Sequence, residues 1–155
     1  MKRIVILMIS FFGFTFTCNA QFYTGGNVSV NYDNGIYVDA APIFGYKWDA
    51  FNAGVSPFAS YSETNNLKGT YSFGNRIFCE YTIFKGIFLH GEFEILNYPY
   101  GGARDWAIGL PVGAGYQYEI AKNTTAHGMI LYDVLLDENS PKENPVIRIG
   151  VDYSF

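Results

Sequence analysis

Cysteine is almost absent from this chain, which has only Cys18 and Cys79 among its 155 residues. There is no CxxC pair and no group of cysteines and histidines, so a structural zinc site is not expected. Cys18 falls in a segment that we expect to be removed, and the bulky Phe16-Thr17 before it disfavours a lipoprotein signal. The mature chain then keeps one cysteine and cannot form an intrachain disulfide. We expect no metal and no other cofactor.

Charged residues are also scarce, at 15% of the chain, against about 25% in an ordinary soluble domain. Aromatic residues reach 19%, and there are 17 glycines. Without Lys2 and Arg3 the chain has 8 basic against 14 acidic residues and hence a net charge of −6. This negative charge argues against nucleic acid as a partner.

Long apolar runs are missing after residue 20, but the first twenty residues contain one. Lys2-Arg3 precedes the apolar stretch 4–16, and small residues follow at 17–20. This order predicts a secretory signal peptide over residues 1–20, cleaved before Gln21. The run is too short for a membrane-spanning helix, which needs about 20 residues. Residues 21–155 are then a single domain.

From residue 22 onward, apolar and polar side chains alternate with a period of two, which is the period of a β-strand. In the last segment one face carries Ile147, Ile149, Val151, Tyr153 and Phe155, and the other carries Arg148, Gly150, Asp152 and Ser154. The alternation recurs in eight segments, which predict strands at 22–32, 36–46, 51–61, 71–83, 87–95, 108–118, 126–136 and 146–155.

Turn residues separate these segments. Asp33-Asn34-Gly35 is a tight-hairpin signal. The second, fourth and sixth connections are short, near residues 47–50, 84–86 and 120–125. The third, fifth and seventh are longer, at 62–69, 98–105 and 137–145. Short turns on the side of the termini and longer loops opposite are typical of outer-membrane barrels, although the first outer connection is unusually short.

The alternation fits a soluble lipocalin-like barrel as well as an outer-membrane barrel, and four features favour the second. The lysines after residue 20 all fall in predicted turns, at Lys47, Lys68, Lys85, Lys122 and Lys142. The polar face carries small or oppositely charged residues, which can fill the narrow interior of eight strands. Aromatic residues gather near strand ends, and the chain ends on one. The sequence therefore predicts an all-β fold: an eight-stranded antiparallel up-and-down transmembrane β-barrel with a plugged polar lumen.

Several stretches carry a resemblance to a known class, the small OmpA/OmpX-like eight-stranded outer-membrane barrels of the Bacteroidota. The segments that resemble them are Gly74-Asn75-Arg76-Ile77-Phe78, Leu89-His90-Gly91-Glu92-Phe93-Glu94, Asn97-Tyr98, Leu131-Tyr132-Asp133 and Arg148-Ile149-Gly150-Val151. The ending at Tyr153 and Phe155 resembles the signal by which such barrels are inserted. The resemblance implies the outer membrane of a Gram-negative bacterium, with membrane lipid and the barrel-assembly machinery as partners. It implies no activity.

Charged side chains fall on the face that we expect to line the lumen. They are Asp39, Arg76, Glu80, His90, Glu92, Glu94, Asp133, Arg148 and Asp152. One interpretation is a structural plug of paired charges. The other is a proton or cation site, because six carboxylates face two arginines and one histidine. A tight turn at Lys85 predicts that Arg76 lies opposite Glu94 and that Glu80 lies opposite His90.

The leading functional interpretation is a non-enzymatic protein, either structural or presenting its outer loops to a partner. The best binding-loop candidate is residues 98–106, with Tyr98, Tyr100, Arg104 and Trp106; a flexible loop beside an aromatic girdle is the alternative. No serine is paired with His90 or His127 in a way that predicts a catalytic residue. A lipid-modifying acyltransferase or deacylase and a narrow cation or proton channel stay open as alternatives.

Overall fold

The computed structural model describes residues 21–32, 35–64, 67–135, 142 and 144–155. The expected signal peptide, residues 1–20, lies outside the described residues. The described chain forms nine β-strands: β1 (Gln21–Tyr32), β2 (Gly35–Trp48), β3 (Phe51–Thr64), β4 (Leu67–Phe84), β5 (Ile87–Tyr100), β6 (Ala103–Gly109), β7 (Pro111–Ala121), β8 (Thr124–Asp133) and β9 (Val146–Ser154). None of these residues forms a helix long and apolar enough to cross a membrane.

All strand pairs are antiparallel, and together they close into a barrel. The sheet order is β4-β3-β2-β1-β9-β8-β7-β5-β6, and an additional β4–β5 pairing joins the two edges. Both β6 and β7 pair with β5, so they occupy one position in the wall. The fold is therefore the predicted closed barrel of eight antiparallel strand positions.

The split between β6 and β7 at Leu110 was not expected. The amide of Leu110 donates a hydrogen bond to the side-chain atom Asp133 Oδ1 at 2.8 Å instead of to a backbone carbonyl. The carbonyl of Leu110 accepts from the amide of Val134 at 3.2 Å. A carboxylate on β8 thus interrupts the ladder, and the predicted strand 108–118 becomes the end of β6 followed by β7.

The connections differ from the expected lengths at one end of the barrel. We call the end with Gln21 and Phe155 the terminal end; its turns at 49–50, 85–86 and 122–123 are short, as predicted. We call the opposite end the loop end. The prediction of loops at 62–69 and 98–105 there is wrong, because the flanking strands continue into both segments. β5 and β6 meet at Gly101-Gly102, whose φ of +58° and +88° fit a tight hairpin turn. The connection between β8 and β9 is longer.

Two further expectations need correction. Lys47 lies inside β2 rather than in a turn, and the backbone of Lys68 lies inside β4. β8 ends at Asp133 and not at residue 136, because residues 134–135 already form a turn. Lys85 and Lys122 lie in turns as expected.

The two faces of the wall have opposite chemistry. Along β9, the side chains of Ile147, Ile149 and Val151 are exposed, whereas Val146 and Arg148 are buried. The apolar face therefore points outward, as the alternation predicted for an outer-membrane barrel. The inner face is less uniformly polar than expected, since apolar clusters flank the central charges. These are Ala41, Phe58, Leu96, Tyr98 and Ala107; Phe88, Met129, Leu131 and Val146; and Tyr23, Ile43 and Phe78.

Candidate functional site

A buried charge network occupies the middle of the barrel. It consists of Asp39, Arg76, Glu92, Glu94, Lys142 and Arg148, none of them more than 4% exposed. β-Strand alternation points all of these side chains except that of Lys142 inward, and each would be costly to bury alone. Three carboxylates balance three cationic side chains, so the network is neutral as a whole.

Arg76 is the hub of this network. Its guanidinium donates to Asp39 Oδ1 at 3.1 Å and to Asp39 Oδ2 at 2.7 Å, a bidentate pair. Its Nε donates to Glu94 Oε2 at 2.7 Å. The ring of Phe58 covers the same guanidinium, with its centroid 3.8 Å from Cζ. Arg76 and Glu94 are partners in the β4–β5 register, which confirms the predicted pairing.

Arg148 forms the second bidentate pair. It donates to Glu92 Oε2 at 2.6 Å and to Glu92 Oε1 at 3.0 Å, and its Nε donates to Ser29 Oγ at 3.0 Å. Glu92 Oε1 also lies 3.7 Å from Arg76 Nε, so Glu92 connects the two arginines. These bonds join β1, β4, β5 and β9 through the lumen.

Lys142 completes the network and was not predicted there. It belongs to the connection between β8 and β9, yet its amine donates to Glu94 Oε1 inside the barrel. Burial lowers the pKa of the Lys142 amine, and the carboxylate of Glu94 opposes that shift. The excess of inward carboxylates over arginines was the sequence signal that another cation was needed.

His90 lies between two carboxylates on the terminal-end side of the network. Its Nδ1 is 2.9 Å from Glu80 Oε1, and its Nε2 is 3.0 Å from Glu92 Oε2. Glu80 and His90 are register partners, as predicted. Because a carboxylate only accepts, both contacts are hydrogen bonds when the imidazole carries both protons. Asn52 Nδ2 also donates to Glu80, at 3.0 Å.

Asp133 and Asp152 were expected in the same network but lie apart from it. Asp133 accepts from the amides of Leu110 and Leu135 at 2.8 and 3.0 Å and therefore organises the backbone at the loop end. Asp152 pairs with His127, whose Nδ1 is 3.1 Å from Asp152 Oδ2 near the terminal end.

The proposed binding loop 98–106 is a hairpin rather than a loop. Tyr98 is buried at 3% exposure and faces the lumen, so it is not available to an outside partner. Arg104 donates to the carbonyl of Asn97 at 2.9 Å, and to its side chain, which holds it on the barrel wall. Tyr100 and Trp106 are exposed, at 52% and 65%.

Tyr153 and Phe155, the expected insertion signal, lie on the outer face at the seam between β9 and β1. The Phe155 ring stacks on Phe22 with centroids 5.8 Å apart and packs edge-on against Tyr153 at 5.3 Å. The amide of Phe155 donates to the carbonyl of Phe22 at 3.0 Å. Its carbonyl accepts from Gln21 Nε2 at 2.7 Å.

The arrangement of the described residues does not indicate a metal site or a serine nucleophile activated by His90. Among residues 21–32, 35–64, 67–135, 142 and 144–155, no three His, Cys, Asp or Glu side chains are grouped to hold a metal ion. Both nitrogens of His90 face carboxylates, so neither is directed at a serine. Cys79 is a free thiol on the exposed outer face.

No protein-family profile and no curated protein sequence matches the chain. Among solved structures, the Neisserial surface protein A, NspA, is similar over 88% of this chain and 97% of its own, with 14% identity and a TM-score of 0.48. A structure described as a de novo designed transmembrane β-barrel is similar over 87% of this chain and 95% of its own, with 15% identity and a TM-score of 0.41.

Proposed function

We propose that this protein is a non-enzymatic β-barrel that spans a membrane with its lumen closed. The observation that carries the proposal is the apolar outer face. Along β4, Tyr71, Phe73, Ile77, Cys79 and Tyr81 point outward and are exposed, and Asn75 is the one polar residue in this row. A contiguous apolar surface of this kind is unusual on a soluble protein. An aliphatic band between aromatic residues is typical of membrane barrels.

The membrane we propose is the outer membrane of a Gram-negative bacterium. A signal peptide over residues 1–20, cleaved before Gln21, would deliver the chain to the periplasm. The short-turn terminal end would then face the periplasm, and the loop end would face outside. Membrane lipid would contact the outer face, and the barrel-assembly machinery would act on Tyr153 and Phe155 during insertion.

The lumen supports a closed barrel rather than a channel. Arg148 and Glu92 bridge the interior, and Lys142 fills the space on the loop-end side of Glu94. The contacts of His90 support a non-enzymatic role. Its two ring nitrogens are bonded to Glu80 and Glu92, and no serine of the described residues bonds to it. This favours a structural protein or one that presents its outer hairpins, with Tyr100 and Trp106 exposed, to a partner.

Membrane insertion and closure can be tested on one preparation. Cells that express the full chain are fractionated, and the outer-membrane fraction is run on gels with and without boiling. We expect the protein in that fraction, with heat-modifiable migration, and a mature mass that begins at Gln21 without an acyl group. In a planar bilayer the purified barrel should give no steady conductance. A protein found in the soluble fraction would refute insertion, and stable conductance would refute closure.

A further inference from the structure

The apolar outer wall carries a polar side chain at mid-height. Asn75 points outward from the middle of β4 and is exposed. Along the same strand, Tyr71 lies outward toward the loop end and Tyr81 toward the terminal end. Aromatic residues mark the two surfaces of the bilayer around a membrane barrel. In the membrane that we propose, the Asn75 amide therefore lies in the hydrocarbon layer between them.

The Asn75 side chain forms no hydrogen bond with any residue that the structure describes. Other polar side chains on the outer wall have partners within the chain. Thr24 donates to the carbonyl of Ile43 at 2.9 Å, and Arg104 donates to the carbonyl of Asn97 at 2.9 Å. Lipid tails neither donate nor accept, so an unpaired amide among them is strongly disfavoured. Asn75 therefore indicates a polar partner inside the membrane.

The wall beside Asn75 is shallow on the β3 side. Pro57 is the register partner of Asn75 on that strand. The β2–β3 ladder is interrupted at the level of Pro42 and Pro57, since neither proline has a backbone donor. The outward neighbours of these prolines are the small Ala40 and Ala59, which are exposed. Small residues let another membrane-spanning wall approach closely.

The wall on the β5 side of Asn75 is raised instead. Ile95 is the register partner of Asn75 on β5, and Phe93 follows it on the same outer face. Both are exposed, at 38% and 41%. Asn75 thus lies between an apolar ridge and a shallow depression, and Ile95 and Pro57 are level with it on the two sides.

This asymmetric surface is complementary to itself. Two copies inserted in the same direction hold Asn75 at the same depth, so a two-fold axis along the membrane normal can pass beside it. Rotation about that axis sets Ile95 of each copy against Pro57 of the other. The two Asn75 amides then meet at the axis. An amide both donates and accepts, so each can satisfy the other, whereas two carboxylates or two ammonium groups could not.

We propose that the Asn75 face, formed by Pro57, Ala59, Asn75, Phe93 and Ile95, pairs with the same face of a second copy of this chain within the membrane. The pairing rests on the proposed membrane location and goes beyond it, because it gives the barrel a partner. The Asn75 amides supply the polar contact at the centre, and Ile95 packs in the depression at Pro57 on either side.

The test measures self-association of the purified barrel in phosphatidylcholine vesicles. Fluorophores are attached through Lys85→Cys in a Cys79→Ala background, because Lys85 lies in the turn between β4 and β5, close to the Asn75 face. We expect energy transfer that rises with the protein-to-lipid ratio and saturates. Asn75→Leu should weaken the association about fivefold or more. Asn75→Gln keeps the amide and should retain most of it.

A matched pair of variants locates the interface. Ile95→Ala should weaken association severalfold, because it removes the side chain that packs against Pro57 of the second copy. Ile149→Ala makes the same change on β9, which is four strand positions from β4 in either direction and so on the opposite side of the barrel. Ile149 is also outward, at 64% exposure, and its variant should associate as the unaltered barrel does.

Flotation of the vesicles and heat-modifiable migration report insertion separately from association. A chain that does not enter vesicles would overturn the proposed function and the pairing together. An inserted barrel that stays monomeric at every ratio would overturn the pairing alone and leave the amide to lipid or to another protein. Equal effects of Ile95→Ala and Ile149→Ala would place the contact elsewhere. Unaltered association of Asn75→Leu would refute the amide contact, and if that variant does not fold, loss of association in Asn75→Gln with an unaffected Ile95→Ala would refute the face.

Discussion

Arg148 on β9 and Glu92 on β5 meet inside the barrel through two parallel hydrogen bonds, of 2.6 and 3.0 Å. The two strands are not neighbours in the wall, since β7 and β8 lie between them. The pair therefore holds the barrel closed from within, independently of the hydrogen bonds between adjacent strands. Because both side chains are buried, the loss of one partner should lower the stability of the barrel more than the replacement of both by apolar residues.

Arg148→Met should lower the free energy of unfolding by about 3–5 kcal/mol, because Glu92 would lose its bidentate partner while still buried. Arg148→Lys should also destabilise, since an ammonium cannot reproduce the two parallel bonds. Arg104→Met is the control, because Arg104 is exposed on the outer wall. Urea titration of the detergent-folded barrel gives the values, and an equal cost for Arg104→Met and Arg148→Met would contradict the assignment.

Arg76 and Glu94 should show a large coupling energy in a double-mutant cycle. Either single change, Arg76→Met or Glu94→Leu, leaves a buried charge and should cost roughly 3–5 kcal/mol. The double variant should cost less than the sum of the two. It should not return to the original stability, because Asp39 loses its bidentate partner and Lys142 loses its acceptor. Additive losses, measured by the same urea titration, would show that the two residues do not interact.

The outer face can be tested with a charge on β9. Val151 is 46% exposed on that face, opposite Gly26 on β1. Val151→Arg should destabilise a lipid-inserted barrel by about 2–4 kcal/mol if the residue lies near the bilayer midplane. Ser154→Arg, whose side chain would enter the mouth at the terminal end, should be much milder. Refolding into lipid vesicles measures both, and the reverse order of costs would mean that lipid does not contact this face.

The features that could be predicted from the sequence are those that depend on local periodicity. Alternation assigns every side chain of a strand to one of two faces, so the inward position of Arg76 and Glu94 follows from parity. The short turn around Lys85 predicts that Arg76 faces Glu94, and the structure reaches this register through an irregularity between Thr82 and Phe84, because Phe84 pairs with Ile87 at the turn itself. The closed fold is expected once the apolar face is assigned to lipid, because lipid cannot satisfy the unpaired backbone groups of an open sheet edge.

The features that could not be predicted depend on contacts between distant residues. Leu110 interrupts its strand because Asp133, 23 positions away, accepts its amide. Lys142 bonds to Glu94 from the connection between β8 and β9. This segment lacks the strand alternation from which a side chain's direction can be predicted. The end of the β3–β4 hairpin was predicted to be a loop because its residues are polar. Ser62 and Thr70 are examples, and their hydroxyls hydrogen-bond to each other at 2.9 Å. Polar pairs of this kind can extend a ladder without apolar alternation.

Phe155 makes a contact at the seam, and we propose that it has a second, separable role as a recognition signal for assembly. Its ring stacks on Phe22, and its backbone pairs with Phe22 and Gln21 between the first and last strands. Deletion of Phe155 should therefore cut the amount of assembled barrel in cells sharply. Refolding of the same truncated chain into detergent, where no machinery acts, should be reduced only by the loss of the seam contacts.

Phe155→Ala separates the two roles further, because it keeps the backbone bonds at the seam and removes the ring. Phe155→Trp keeps an aromatic ring at the end of the strand and should assemble nearly as well as the unaltered chain. The readout is the heat-modifiable fraction on gels, from cells and from detergent refolding in parallel. An Ala variant that fails in cells but refolds in detergent identifies the ring as the signal. Equal losses in both settings would assign Phe155 to the seam alone, and normal assembly of the deletion would remove Phe155 from both roles.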